Sequence, residues 1–172
     1  MDAIFTRRSI RKYTDEDVTK EQEERLLRAA MAAPSAGNQQ PWHFIVLRDR
    51  KTLMGVMDFH PYAPMLDHAP LAIAVCADPS LERFKGFWPQ DCSAATENIL
   101  VEAEAMGLGA VWLGIHPIEE RVLGMRRLLN IPEGVIPMAL VAIGHPDESK
   151  EPSDRYDDSR VHREKWQAEK DL

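Results

Sequence analysis

The stretch DCSAATENILVEAEAMGLGAVWLG, residues 91–114, carries the longest regular pattern in the sequence. Its first part predicts a helix over residues 91–106, because four apolar residues recur on one side at helical spacing. These residues are Ala95, Ile99, Ala103 and Met106. Gly107 is a typical helix stop, and the apolar run 110–113 after it predicts a buried strand. A long helix that leads directly into a strand indicates that helices pack against a sheet.

The flanking sequence contains further helices and strands. Thr19 and Gln22 have the spacing of a capping box, which predicts a helix that ends at residue 33, before Pro34. Short apolar runs predict more strands, and weaker periodic patterns predict more helices: strands at 44–47, 71–77 and 136–143, helices at 51–57 and 118–129. About four strands with helices before and between them favour an α+β fold or a three-layer sandwich.

Length and composition favour one globular domain over residues 1–172, in which the polar residues 145–172 form an extended tail. The net charge of −7 argues against a nucleic-acid partner, since phosphate backbones bind pooled Lys and Arg. We expect no membrane partner, because no apolar run approaches the roughly 20 residues of a membrane span. The N-terminus has no signal-peptide pattern, so a cytoplasmic protein is expected. Cys76 and Cys92 are too few for a disulfide framework.

Several common site motifs are missing from the sequence. The glycines at 107, 109 and 114 do not match a dinucleotide fingerprint, because there a strand must precede the helix whose N-terminus binds the pyrophosphate. GxxxxGK[ST], HExxH and GxSxG motifs are also absent. The six histidines never fall at helical ligand spacing, so we expect no metal site.

The basic segment near the N-terminus is the first candidate binding site. Arg7, Arg8 and Arg11 surround the hydroxyl group of Ser9 where a short helix ends. Guanidinium groups bind phosphate through charge-assisted, bidentate hydrogen bonds, so this segment is suited to gripping a phosphomonoester. Taken alone, the same run is equally consistent with a solvated basic face beside a helix.

The loop PSAGNQQPW, residues 34–42, is the second candidate. Asn38 and Gln40 carry amides that can pair with the carbonyl groups and ring nitrogens of a flat heterocycle. Pro34 and Pro41 restrict the backbone of the loop. By itself, the segment fits a turn with a capping Asn better than a binding site.

Together these segments resemble the nitroreductase family. The resemblance rests on R-x-S-x-R at 7–11, PS-x-x-N-x-QPW at 34–42, and a GLGAVWLG-type strand after a long helix, and it spans nearly the whole chain. It implies a three-layer sandwich with a central, mostly antiparallel sheet. It also implies FMN as cofactor, NAD(P)H as reductant and ping-pong hydride transfer to a small oxidised acceptor such as a nitroaromatic or a quinone. Because the flavin carries the redox chemistry, we then expect no side chain that acts as nucleophile or general acid.

The resemblance further assigns residues to parts of FMN. Arg7, Arg8, Ser9 and Arg11 correspond to the grip on the phosphate and ribityl groups. Asn38 matches a residue that bonds the flavin ring, while Pro34 and Ser35 would lie along the isoalloxazine. Backbone N–H groups of Leu113, Gly114 and Ile115 would approach flavin N5 or the phosphate side. Either Arg155 or Arg160 would complete the phosphate site, with a slight preference for Arg155.

In this family the protein is a homodimer with flavins at the interface, so the tail would lie on the partner subunit through Tyr156, Val161 and Trp166. The segment 77–91 is short where longer members carry a lid. Its aromatic residues either line the substrate pocket or only pack against the loop: Phe84, Phe87 and Trp88. The alternatives to an enzyme are a module that stores, senses or delivers FMN without turnover, and a helix-rich protein whose basic run meets an acidic partner.

Overall fold

A four-stranded sheet forms the centre of the computed structural model, which describes residues 3–166. The strands are β1 (Trp42–Leu47), β2 (Leu71–Ala77), β3 (Gly109–Gly114) and β4 (Ile136–Gly144). They lie in the order β1-β2-β4-β3, and every neighbouring pair is antiparallel. The sheet is open, with β1 at one edge and β3 at the other. The expected antiparallel sheet is confirmed.

Within the described residues, five α-helices accompany the sheet: α1 (Ala3–Thr6), α2 (Lys20–Met31), α3 (Arg50–Gly55), α4 (Trp88–Ala105) and α5 (Glu119–Leu129). The predicted capping box begins α2, where Thr19 Oγ1 accepts from the Gln22 N–H and Gln22 Oε1 accepts from the Thr19 N–H. Helix α4 begins at Trp88, three residues before the predicted start, because Pro89 is tolerated in the first turn of a helix. Among residues 3–166, no helix is long and apolar enough to cross a membrane.

Helices cover both faces of the sheet. Along β2 the side chains alternate, so Ile73 and Val75 pack with α2 and α4, whereas Ala72 and Ala74 face the layer of α3 and α5. Leu26 and Ile99 are central in the first layer; Leu53 and Met125 are central in the second. The three-layer sandwich expected from the resemblance is therefore confirmed.

Helix α4 contacts several other elements of its own chain. On one side Asn98 Nδ2 donates to the Ala29 carbonyl at the end of α2, 2.9 Å away. On another side it packs against α1. Seven of its residues are buried, and they lie on one side of the helix. Within the helix only Gln90 and Ala105 are exposed, and the other residues of the opposite side are half-buried.

The N-terminal segment extends the sheet beyond β3. The Ile10 N–H donates to the Ala110 carbonyl at 3.0 Å, so residues 9–10 lie beside the outer edge of β3. The tail folds back on the next residues, since Thr14 N–H donates to His145 O and Asp147 N–H donates to Lys12 O, both at 2.9 Å. Residues 167–172 of the predicted tail lie outside the described part of the chain.

Gly109 controls how closely the N-terminal segment approaches β3. A Cβ at this position would lie 2.6 Å from Ile10 Cγ2, which is far inside van der Waals contact. We expect Gly109→Ala to cost about 1–3 kcal/mol of unfolding free energy and to displace Ser9 and Arg11. The change is measured by thermal unfolding, at about 2–4 °C per kcal/mol for a chain of this size. Gly134→Ala is the control, because nothing lies within 4 Å of its new Cβ. Equal melting temperatures for the two variants would contradict this packing argument.

Candidate functional site

A groove between the N-terminal segment and the tail contains most of the predicted phosphate site. We call it the clamp groove; its volume is about 800 Å3. Five cationic side chains line it, Arg7, Arg8, Arg11, Lys150 and Arg155, against one carboxylate, Asp154. Ser9 and Ser153 add hydroxyl groups, and Ile4, Phe5, Pro152 and Tyr156 complete the lining. The excess of cations makes the groove suited to a dianionic group.

Two arginines of the clamp groove each have a buried Nε–H group that makes no hydrogen bond among the described residues. The Nε atoms of Arg7 and Arg8 are buried and make no hydrogen bond within residues 3–166. Arg7 Nε lies 3.2 Å from Glu97 Oε1, close enough for an ion pair but not aligned for a hydrogen bond. A buried, unpaired N–H is costly, so an acceptor from outside the chain would be favourable here. A phosphate group fits this requirement.

Ser153 links the two ends of the clamp groove. Its Oγ accepts from Arg8 Nη1 at 2.7 Å and from Arg155 Nε at 3.0 Å. Arg155 therefore lies in the wall of the groove, as preferred from the sequence. Arg160 does not line it; this side chain is largely exposed and pairs with Asp157 at 3.0 Å.

Two tail residues that sequence reasoning missed hold the backbone of the basic segment. Lys150 Nζ donates to the Ser9 carbonyl at 2.6 Å, and Glu148 Oε1 accepts from the Arg11 N–H at 2.6 Å. The hydrogen bond from Arg11 and the nearby Lys150 lower the pKa of the Glu148 carboxyl. Both residues lie in the polar run DESKE, which carries no sequence signal for a site.

A second cavity of about 460 Å3 lies along the outer edge of β3, and we call it the edge cavity. Arg11 lines both the clamp groove and the edge cavity, so the two are neighbours. Trp112, Leu113 and Gly114 supply the strand edge, and His60, Pro61, Tyr62, Pro64, Met65 and Arg121 supply the opposite wall. The structure thus places Leu113 and Gly114 in the same cavity wall as Arg11.

Strand alternation decides which backbone donors of β3 face the edge cavity. Ile115 N–H donates to the Met138 carbonyl at 3.1 Å, so the prediction that Ile115 offers its N–H to a flavin is wrong. In an antiparallel pair successive N–H groups alternate in direction, so Leu113 also points its N–H toward β4. Gly114 points its N–H and C=O away from β4, because its carbonyl contacts the side chains of His60 and Arg121 instead. Gly114 is therefore the backbone donor of this segment that faces the cavity.

The Gly114 carbonyl is held by two side chains that sequence reasoning missed. His60 Nε2 lies 3.1 Å from it, and Arg121 Nη1 donates to it at 2.8 Å. Because His60 Nδ1 accepts from the Tyr62 N–H, we assign the ring proton to Nε2. Burial lowers the pKa of His60, and the nearby Arg121 lowers it further, so the ring is neutral at pH 7. The guanidinium carbon of Arg121 lies 5.7 Å from the centroid of the Tyr62 ring.

The loop 34–40 lies at the other edge of the sheet. Asn38 and Gln40 are exposed and both adopt positive φ angles, 55° and 48°, which non-glycine residues rarely do. Gln40 Nε2 donates to Asn38 Oδ1 at 3.1 Å, and Gln40 N–H donates to Ser35 Oγ at 3.1 Å. Pro34 is exposed at the start of the loop. Such local strain is frequent at binding sites.

A buried pair positions this loop, and neither of its members was predicted as a site residue. Gln39 Nε2 donates to Asp91 Oδ2 at 2.6 Å, and the Ala36 N–H donates to Asp91 Oδ1 at 2.9 Å. Gln39 Oε1 in turn accepts from the N–H groups of Arg83 and Phe84. The loop is therefore tied both to the first turn of α4 and to the short segment that precedes α4.

Two of the aromatic residues in segment 77–91 pack near the loop and the end of β3. Phe84 covers Gly37, where a Cβ would lie 2.3 Å from the phenyl ring. Trp88 stacks edge-on against His116, with ring centroids 4.9 Å apart. Phe84 and Phe87 also remain substantially exposed, 54% and 43%. Phe84 and Trp88 therefore make packing contacts, and Phe84 also presents apolar surface beside Gly37 of the loop.

Within one chain, the loop 34–40 lies far from the clamp groove. The loop leads into the start of β1, whereas Ser9 lies beside Ala110 on β3. Three strand spacings separate β1 from β3, about 14 Å. The register also places Ser9 at the end of the sheet where β1 finishes, about 20 Å along the strand direction from Trp42.

These features define a three-layer α+β protein with a cation-rich groove and a neighbouring cavity at one sheet edge. The chain belongs to the Nitroreductase family, whose model matches residues 4–58 and 58–145. The resemblance inferred from the sequence motifs is confirmed for the family as a whole.

Similar proteins cover almost the whole chain. A protein of Methanothermobacter thermautotrophicus, provisionally named NADH dehydrogenase/NAD(P)H nitroreductase, is 52% identical over 166 residues, 96% of this chain and 87% of the relative. The crystal structure of a provisionally named NADH oxidase from Clostridium acetobutylicum is 49% identical, with a TM-score of 0.93 over 96% of this chain and 100% of that one. An FMN-dependent nitroreductase from Clostridium difficile R20291 is 30% identical, with a TM-score of 0.88 over 95% and 98%.

Asp91 should be essential for the position of the loop. Asp91→Ala leaves the Gln39 amide and the Ala36 N–H without their acceptor, at an expected cost of about 1–3 kcal/mol. We expect a lower melting temperature together with faster hydrogen exchange at Ala36. Gln90→Ala, at the exposed neighbouring position of α4, is the matched control. Unchanged exchange at Ala36 in the Asp91 variant would show that the loop is positioned by other contacts.

Proposed function

We propose that this protein is an FMN-dependent NAD(P)H oxidoreductase that reduces a small oxidised acceptor. The observation that carries the proposal is the clamp groove, with buried Nε donors on Arg7 and Arg8, next to an edge cavity of a size suited to a flat ring. Membership of the Nitroreductase family and the names of the relatives support the same activity.

The phosphate of FMN would lie in the clamp groove. Arg7, Arg8 and Arg155 would donate charge-assisted hydrogen bonds to its oxygens, and the Ser9 hydroxyl would add another. Arg11 borders both cavities, so its guanidinium would follow the ribityl chain toward the ring. Arg160 pairs with Asp157 outside the groove, so we assign the late basic contact to Arg155.

The isoalloxazine ring would occupy the edge cavity beside Gly114, whose N–H would donate to the ring. Leu113 would contribute packing rather than a backbone donor. When bound, FMN supplies the redox chemistry by accepting hydride from NAD(P)H and passing it to the acceptor. The protein then contributes orientation and electrostatics to the reaction, and no described side chain is needed as nucleophile or general acid.

We further propose that the site is completed in a homodimer. Pro34, Ser35, Asn38 and Gln40 lie across the sheet from the clamp groove of their own chain, too far to contact the same ring. A second copy of the chain would bring these residues to the ring, where the amides of Asn38 and Gln40 can pair with its carbonyl groups. Exposed apolar residues beside the clamp groove provide contact surface for that copy: Ile4, Phe5 and Tyr156, 65%, 71% and 73% exposed.

The activity predicts a simple spectroscopic result. Purified protein, or apoprotein reconstituted with FMN, should show the flavin absorbance bands, and NADH or NADPH should bleach them without oxygen. Adding a quinone or nitroaromatic should restore the bands, and both steps are followed by anaerobic stopped-flow absorbance. Protein that binds FMN but stays yellow with both nucleotides would indicate a module that stores, senses or delivers flavin. Protein that does not bind FMN would refute the proposal.

Mixed dimers test whether two chains share each site. Alone, Arg7→Ala/Arg11→Ala should lose FMN, because each lost charged contact costs about 1.5–3 kcal/mol. Alone, Asn38→Ala should retain FMN but be reduced slowly by NAD(P)H. The two chains are co-expressed with different tags, and the mixed dimer is isolated by both tags.

The two arrangements give opposite results in that dimer. If sites are shared between chains, one of the two sites has an intact clamp and an intact loop, and the bound FMN is reduced at the wild-type rate. The other site carries both defects and stays empty. If each chain forms its own site, all bound FMN sits with the Asn38→Ala loop and is reduced slowly. Slow reduction of all bound flavin would therefore refute the shared site.

A further inference from the structure

We propose that Arg121 contacts the ring of FMN and raises its reduction potential. This inference rests on the proposed function, since it assumes that the ring lies in the edge cavity. It assigns a role to a residue outside the sequence motifs of the site, on the first turn of α5.

The contacts of Arg121 point its charge into the edge cavity. Its Nη1 donates to the Gly114 carbonyl, on the same peptide edge that would face the flavin. The Tyr62 ring packs on its guanidinium group from the other side. A guanidinium has five N–H donors, and within residues 3–166 the Gly114 carbonyl is the one acceptor that the Arg121 side chain bonds. The group is thus held in place while donors remain for a ligand.

No carboxylate among the described residues lines the edge cavity, so the charge of Arg121 is not neutralised there. The other titratable groups in its wall are Arg11, Tyr62 and His60. Arg11 is also cationic, and His60 is neutral because its Nδ1 accepts from the Tyr62 N–H. The cavity therefore presents net positive charge to whatever fills it.

Positive charge at this position favours the reduced state of FMN over the oxidised state. The two carbonyl groups and N1 make the pyrimidine end of the isoalloxazine its polar edge, and that edge gains negative charge when the ring takes up two electrons. A fixed cation beside it stabilises the reduced form more than the oxidised form, as preorganised charge does for any developing anion. The dimethylbenzene end is apolar and offers nothing for Arg121 to bond.

The test compares reduction potentials of single variants. We expect Arg121→Gln to weaken binding of reduced FMN relative to oxidised FMN roughly tenfold, which is about 30 mV lower in potential for a two-electron couple. Arg121→Lys keeps the charge and should recover part of the shift. Arg127→Gln removes a charge from an exposed position of the same helix and should leave the potential unchanged. Equilibrium titration against a reference dye gives the potentials.

Two further measurements separate charge from structure. His60→Ala disturbs the same Gly114 carbonyl without removing a charge, so an equal shift there would overturn the assignment. Sulfite forms an adduct with the oxidised ring that places negative charge on the pyrimidine end, and its apparent Kd should rise about tenfold in Arg121→Gln. If a variant retains FMN poorly, apoprotein is titrated separately with oxidised FMN and with dithionite-reduced FMN. The ratio of the two dissociation constants then gives the same comparison.

Failure of this inference differs from failure of the proposed function. Wild-type protein that binds FMN and is reduced by NAD(P)H, with the same potential in Arg121→Gln, would refute the role of Arg121 alone. Wild-type protein that binds no FMN would refute both.

Discussion

The backbone hydrogen bond from Ile10 to Ala110 is the interaction on which the whole site depends. It fixes residues 9–10 beside β3 as an added edge, and the close approach requires a glycine at 109. Arg7, Arg8 and Ser9 thereby line the clamp groove, while Arg11 borders both cavities. The tail reinforces this arrangement, because Glu148 and Lys150 bond the backbone of Arg11 and Ser9. A flexible terminal segment thus becomes part of a rigid sheet.

The fold was predictable where local patterns decide the structure. The capping box at Thr19, the apolar run of β2 and the long helix before β3 each appear where the sequence indicates them. The start of α4 was placed late, because proline in a first helical turn looks like a break in the sequence. Strand order was not readable, since register depends on contacts between residues far apart in the chain.

The site was predictable only as separate motifs. The basic segment and the loop 34–42 each carry a recognisable pattern, but their separation by the sheet is a property of topology. His60, Gly114 and Arg121 come from three separate segments of the chain and meet at the Gly114 carbonyl. None of the three segments has a motif that signals the others. Gln39 and Asp91 were hidden for the same reason, because a buried amide–carboxylate pair follows from packing. The role of Ile115 was predicted wrongly, since resemblance does not specify strand alternation.

The buried Nε donors of Arg7 and Arg8, which make no hydrogen bond within the described part of the chain, also affect how the protein behaves before any cofactor is present. Together with the other cations of the clamp groove, they attract small oxyanions from the surrounding solution. Phosphate or sulfate buffers should therefore stabilise the apoprotein by mass action and, at the same time, compete with the cofactor for the same groove. The choice of buffer anion then decides whether the protein is isolated with its cofactor or with an inorganic ion in its place.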